Sequence, residues 1–128
     1  MIYLDTSVAL AQLLAEDRAP PESLWAQPLI ASRLLEYESW TRLNARGLER
    51  SHGEEARALI QRVALIELAP KVLERALEPF PVPVRTLDAL HLASMTFLLE
   101  RGQTIELASY DDRLLAAAKA LGVPTAPL

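Results

Sequence analysis

The chain has 128 residues, 51% of them hydrophobic, and carries 13 Lys and Arg against 17 Asp and Glu for a formal net charge of −4. That length suits a single domain over residues 1–128 with a full core, and the negative balance excludes a global basic field, so an anionic partner must be met by a local patch or by bound cations. The absence of cysteine excludes a disulfide framework, a thiolate zinc site and a cysteine nucleophile, and with only His52 and His91 present, metal binding would fall to carboxylates, which favours Mg²⁺ or Mn²⁺.

In chain order, Ile2-Tyr3-Leu4 is a short apolar run that gives way to Asp5-Thr6-Ser7, the pattern of a buried, parallel-type strand. Val8, Ala9, Leu10, Leu13 and Leu14 then recur at helical spacing, with Thr6 or Ser7 as the capping residue. Asp17 to Pro21 form a turn, and Pro21 starts a short helix through Trp25. Leu29-Ile30-Ala31-Ser32 is a second strand, followed by a helix through Leu34, Leu35 and Trp40 that stops near Gly47. Gly53 opens a further helix carried by Ala56, Leu59, Ile60 and Val63, which leaves His52 in a loop. Ile66-Glu67-Leu68 is a third strand, and a helix after Pro70 ends before the connector Pro79-Phe80-Pro81-Val82-Pro83. The stretch from Thr86 to Arg101 is an apolar core helix, too interrupted by Asp88, His91 and Ser94 to be a membrane span. A strand at Ile105–Ala108, a helix from Asp111 to Leu121 and an extended piece around Val123-Pro124-Thr125 complete the order. Strands alternating with helices predict a three-layer α/β/α sandwich on a mostly parallel central sheet. No targeting segment is evident, so the expected location is the cytoplasm.

The aspartates are few: Asp5, Asp17, Asp88, Asp111 and Asp112. Asp5 falls at a strand end where a helix begins, the edge at which open α/β sheets bind ligands; its plainer role is to cap that helix. Asp111 stands past the fourth strand, at the same edge if the strands are parallel, with helix capping as its plainer role and a favourable helix-dipole position as that of Asp112. Asp88 lies in the first turn of the core helix with His91 and Leu92 one turn on, so its carboxylate either faces a watery cleft or is buried at a cost. Glu38 borders an apolar helix face, and its plainer role is an i,i+4 pair with Arg42 worth only about 0.2–0.5 kcal/mol. Together, acids from two strand ends and two helices can converge on one cleft, where like charges raise one another's pKa unless a cation neutralises them. Carboxylates with retained waters suit octahedral Mg²⁺ and the chemistry of metal-assisted phosphodiester hydrolysis.

Four stretches carry a resemblance across essentially the whole chain: Tyr3-Leu4-Asp5-Thr6-Ser7, Ser32-Arg33-Leu34-Leu35-Glu36-Tyr37-Glu38, Arg85-Thr86-Leu87-Asp88-Ala89-Leu90-His91-Leu92-Ala93 and Ala108-Ser109-Tyr110-Asp111-Asp112-Arg113-Leu114. In this order they resemble the PIN-domain ribonucleases, in particular the VapC-type toxins of bacterial and archaeal toxin–antitoxin pairs. The resemblance implies that Asp5, Glu38, Asp88 and Asp111 are the catalytic acids binding Mg²⁺ or Mn²⁺, with Asp112 an alternative to Asp111. Thr6 and Ser7 then support Asp5, and Ser109 matches a small hydroxyl position that the family often keeps as threonine. The resemblance further implies an RNA substrate, single-stranded or in a loop (transfer, ribosomal or messenger RNA all remain open), a cognate antitoxin protein as inhibitor, and a homodimer. The family does not count the position of His91 among its acids, so His91 reads as a hydrogen-bonded core histidine.

Arg42, Arg46 and Arg50 recur every four residues from Glu38, a stripe suited to RNA phosphates or to an acidic antitoxin segment. Three rivals fit less well. A haloacid dehalogenase-type phosphatase needs a second aspartate where Ser7 stands, and a receiver domain needs a lysine near a late strand, whereas Lys71 and Lys119 both fall on helices. A non-catalytic PIN-like module that binds RNA or a partner gains little from clustered negative charge facing phosphate.

Overall fold

Ile2, Tyr3 and Leu4 are almost fully buried because the strand they form is flanked by a neighbour on each edge. The computed structural model describes residues 1–128. Its strands are β1 (Ile2–Leu4), β2 (Leu29–Ser32), β3 (Val63–Ile66) and β4 (Glu106–Ala108). All neighbours pair in parallel, in the order β3-β2-β1-β4. Helices α1 (Thr6–Leu13) and α2 (Glu22–Trp25) connect β1 to β2, and α3 (Leu34–Ala45) and α4 (Glu49–Gln61) connect β2 to β3. Helices α5 (Pro70–Leu77) and α6 (Thr86–Glu100) lead to β4, and α7 (Asp112–Ala120) follows it.

The period-two alternation of the strands divides the core in two. Ile2, Leu4, Leu29, Ala31 and Val63 pack with Val8, Leu13, Leu35, Leu43 and Leu59 from α1, α3 and α4. On the opposite face Tyr3 and Leu107 pack with Leu92, Met95 and Leu98 of α6 and with Leu114 and Ala117 of α7. This is the three-layer α/β/α sandwich. Its two faces follow from topology: successive parallel crossovers keep one hand, so reversing direction from β3 back past β1 to β4 moves the connecting helices to the other face. The reversal makes the carboxyl ends of β1 and β4 the crevice of the fold, the place where open α/β sheets take ligands.

Several boundaries differ from the sequence expectation. The third strand is Val63–Ile66 instead of Ile66–Leu68: Val63 to Ile66 align residue for residue with Leu29 to Ser32, and the Arg33 amide closes the ladder on the Ile66 carbonyl at 2.9 Å. Helix α4 starts at Glu49, four residues before Gly53, which places His52 inside a helix with its Nδ1 2.7 Å from Ser51 Oγ. Gly53 is a packing residue, since a Cβ there would stand 3.2 Å from Cη2 of Trp40 on α3. The expected helix stop at Gly47 has a plain cause, a positive φ of 66°. The cap of α1 is Asp5 itself, which leaves the Thr6 and Ser7 hydroxyls for other work. The last extended piece forms a single parallel bridge, Thr125 to Leu107. No helix is long and apolar enough to cross a membrane.

Candidate active site

At the carboxyl ends of β1 and β4 lies an open cleft of about 640 Å³ lined mostly by polar side chains. Asp5, Glu38, Asp88 and Asp111 all line it, although they come from four separate elements. Asp5 follows β1 directly, and its amide is held by the Ala108 carbonyl of β4 at 3.0 Å, which fixes the junction of the two strands. Its Oδ2 accepts from Ser7 Oγ at 2.6 Å, from Ser109 Oγ at 2.8 Å and from the Ser7 amide at 3.4 Å. Capping the helix and facing the cleft are therefore one arrangement, with a single carboxylate oxygen doing the capping.

The hydroxyls knit the two strand ends together. Ser7 Oγ accepts from the Tyr110 amide at 2.9 Å, and Ser109 Oγ accepts from the Asp111 amide at 2.9 Å. Asp111 caps α7 through Oδ1, which takes the Arg113 and Leu114 amides, and its Oδ2 faces Arg85 at 3.7 Å. Asp112 sits one residue further, exposed on the first turn of α7 and outside the cleft lining, whereas Asp111 lines the cleft.

Glu38 makes no pair with Arg42. Its Oε1 takes Thr6 Oγ1 at 3.1 Å and His91 Nε2 at 2.6 Å. His91 is 2% exposed and lines the same cleft. Burial works against its charged form, but the hydrogen bond and the charge of Glu38 outweigh this and hold its pKa above the ordinary histidine value. Histidine buried in an apolar helix is thus the correct environment, but its partner is a cleft carboxylate 53 residues away in sequence.

Asp88 lies beside Arg85, Nε to Oδ2 at 3.4 Å. Its pKa is nevertheless raised, first by burial and then by the charge of Asp111, against the opposing pull of Arg85. Arg85 thus bridges two acids, a role with no clear cue in the sequence because Asp111 is far along the chain. The rim of the cleft holds Arg18, Arg42 and Arg46. Arg18 also lies beyond the sequence reading; its guanidinium stacks 4.7 Å from the centroid of the Tyr110 ring. Arg50 does not extend the stripe. Gly47 breaks the helix after Ala45, so Arg50 belongs to α4 and does not line the cleft.

The donor set suits a hard divalent cation: carboxylates and hydroxyls, with no thiol. Hydrogen bonds and ion pairs from the protein end on one oxygen each of Asp5, Glu38 and Asp88, leaving Asp5 Oδ1, Glu38 Oε2 and Asp88 Oδ1 without a protein partner. The pKa of Asp88 is raised first by burial and then by the charge of Asp111, and a cation at the cleft would relieve the second of these. No three of the acid and imidazole groups form a ready-made cage, so a hard cation held here would need water to complete its shell, as Mg²⁺ commonly does.

The fold and this crevice place the chain in a class. Residues 2–120 match the PIN domain, and the chain belongs to the PIN-domain family. Within it the relatives are of the VapC type. The chain is 31% identical over 126 residues to Ribonuclease VapC46 of Mycobacterium tuberculosis, covering 95% of this chain and 93% of that protein. It is 28% identical over 132 residues to Ribonuclease VapC47 of the same species, covering 98% and 96%. Among solved structures, Mycobacterium tuberculosis VapC20, described as a sarcin-ricin loop cleaving toxin, superposes with a TM-score of 0.70 at 23% identity over 91% of this chain and 95% of that one. A toxin-antitoxin complex from Klebsiella pneumoniae gives a TM-score of 0.67 at 19% identity over 94% of each chain.

Proposed function

We propose that this protein is a divalent-metal-dependent endoribonuclease, the toxin of a toxin–antitoxin pair, working as one catalytic unit over residues 1–128. The observation that carries the reading is the cleft itself: four carboxylates from separate parts of the chain, three of them (Asp5, Glu38 and Asp88) with one oxygen free of protein donors, in a cleft also lined by Arg18, Arg42 and Arg46. When bound, Mg²⁺ or Mn²⁺ supplies a water activated as nucleophile and neutralises charge developing on the phosphoryl group. Asp5, Glu38, Asp88 and Asp111 are the residues that would hold it. Ser7 and Ser109 orient Asp5 by occupying Oδ2, and Thr6 does the same for Glu38 from Oε1. Arg42 and Arg46 seat backbone phosphates beside the acids, which accounts for an RNA surface on a chain of net charge −4.

The names of the relatives support RNA as the substrate class, and the neighbour described as loop-cleaving supports a single-stranded or looped target. The neighbour solved as a toxin-antitoxin complex supports a cognate antitoxin as partner. A homodimer and a cytoplasmic location complete the reading, the first measurable by light scattering on the purified protein.

The direct test is incubation of the purified protein with total cellular RNA in Mg²⁺ or Mn²⁺, with and without chelator. Discrete fragments that vanish on chelation are the expected result. RNA binding without cleavage under every condition would favour the non-catalytic module instead. The arginines make a separate prediction. Phosphate contacts give single-stranded affinity a log–log salt slope of about −0.7 per contact, so replacing Arg42 and Arg46 together with Ala should flatten the slope by about 1.4 and weaken binding of all sequences alike. Arg50→Ala, on the neighbouring helix, should leave the slope in place.

A further inference from the structure

Behind the cleft runs a buried chain of polar groups that the acids alone do not require. The Ser32 amide at the end of β2 donates to Tyr3 Oη at 3.1 Å, and Tyr3 Oη lies 3.0 Å from His91 Nδ1. The His91 ring meets that of Tyr3 edge-on, at 88° and 6.1 Å between centroids, and its Nε2 stands 2.6 Å from Glu38 Oε1. Tyr3, Ser32 and His91 are all buried. The chain thus passes from β2 through β1 and α6 to α3, and ends on Glu38, a cleft acid carried in the interior of α3.

Its direction is set by elementary chemistry. A carboxylate oxygen only accepts, so the nitrogen 2.6 Å from it must carry a proton. Above its pKa the ring is neutral with its proton on Nε2, and it then presents a lone pair at Nδ1, which the Tyr3 hydroxyl satisfies while its own oxygen accepts from Ser32. Every group in the chain then has a partner of the right kind, the condition under which a buried network rigidifies its neighbours.

We propose that His91, held in its tautomer by Tyr3, is a positioning residue that fixes Glu38 Oε1 and thereby turns Glu38 Oε2 into the cleft as a metal ligand. Glutamate is long and loses much rotamer freedom when ordered. Two donors on the same oxygen, His91 Nε2 and Thr6 Oγ1, remove that freedom before a cation arrives. An imidazole bonded on both sides can turn neither way, which a lone serine donor could not match. The inference rests on the metal-dependent reading above.

The experiment compares two amides that imitate opposite halves of the ring. Gln at position 91 places its amide nitrogen near that of Nε2 and keeps a donor for Glu38; Asn reaches only the Nδ1 position and keeps the Tyr3 side. Mn²⁺ affinity by titration calorimetry, kcat and KM for RNA, and thermal melting are measured for the wild type, His91→Gln and His91→Asn. Loss of a partner that orients a metal ligand typically costs 10–100-fold, so His91→Asn should lose about that factor in Mn²⁺ affinity and in kcat with KM held, while His91→Gln restores most of both. Equal Mn²⁺ affinity in the two variants would overturn the positioning role, whatever their melting temperatures. A wild type that itself binds no Mn²⁺ would overturn the metal reading and the positioning role with it, and the two failures are told apart by that control. Independently of any variant, ¹⁵N shifts of the wild-type imidazole should show a proton on Nε2; a neutral ring protonated on Nδ1 would overturn the proposal.

Discussion

Asp5→Asn should lower RNA cleavage by at least about 100-fold while the protein stays folded. The factor follows from comparison: groups that only orient a metal ligand cost up to about 100-fold when removed, so a ligand itself belongs at or beyond that limit. Folding survives because Asn keeps what the structure asks of the Asp5 side chain on its protein side. One amide oxygen still accepts from Ser7 and Ser109 and still caps α1, and Asn and Asp are equivalent caps, so stability should change by no more than about 1 kcal/mol. The substitution removes the charge at Oδ1, the oxygen with no protein partner. Cleavage time courses beside thermal melts check both halves, and full activity in the folded variant would sink the mechanism.

The parts of this site that were legible in the sequence are those governed by local pattern. A three-residue apolar run ending in Asp5 marks both a central strand and the sheet edge, because burial on two faces removes polar alternation and the crevice of a parallel sheet lies at its carboxyl end. Asp111 follows by the same logic from β4, whereas Ser109 rests only on the resemblance of its stretch to the family. The four-residue repeat of arginines does not carry Arg50 onto the same face, because a positive φ at Gly47 ends the helical phase. Helical spacing that runs on to Val63 puts the third strand three residues late, and only pairing with Leu29 places Val63 in the sheet. Gly53 does not start its helix as the sequence suggests; its missing Cβ admits Trp40. The pairings His91 with Glu38, and Arg85 with Asp111, join elements distant in sequence. Periodicity assigns a face to each residue but not the side chain it meets there, so these contacts became visible only with the packing of α3 against α6 and of α6 beside β4.

Asp88→Asn should abolish cleavage and yet raise the melting temperature of the metal-free protein at pH 7. The sign follows from the direction of the pKa shift. Burial and the charge of Asp111 hold the Asp88 carboxyl above its ordinary value, so the folded state takes up a proton more readily than the unfolded chain. Above the raised pKa the ionised group costs stability, and as pH falls through that value the cost disappears. Arg85 offsets part of it from an exposed position, as far as a screened surface pair can. Neutral Asn removes the cost at pH 7, so the variant's advantage should shrink as the pH is lowered through the carboxylate range, where the wild-type group is neutral as well. Adding Mn²⁺ should reverse the order. A ligand that binds only the folded state at 100 times its Kd stabilises by about 2.7 kcal/mol, and the wild type gains this while the variant, short of one carboxylate, gains less. Thermal melts of both proteins across pH, with and without Mn²⁺, test the crossing. A structural acid would show the opposite pattern, with the variant melting lower in the absence of metal, and that result would remove Asp88 from the set held ready for a cation. The crossing thus separates charge kept under strain for a ligand from charge kept for the fold, which loss of activity alone cannot do.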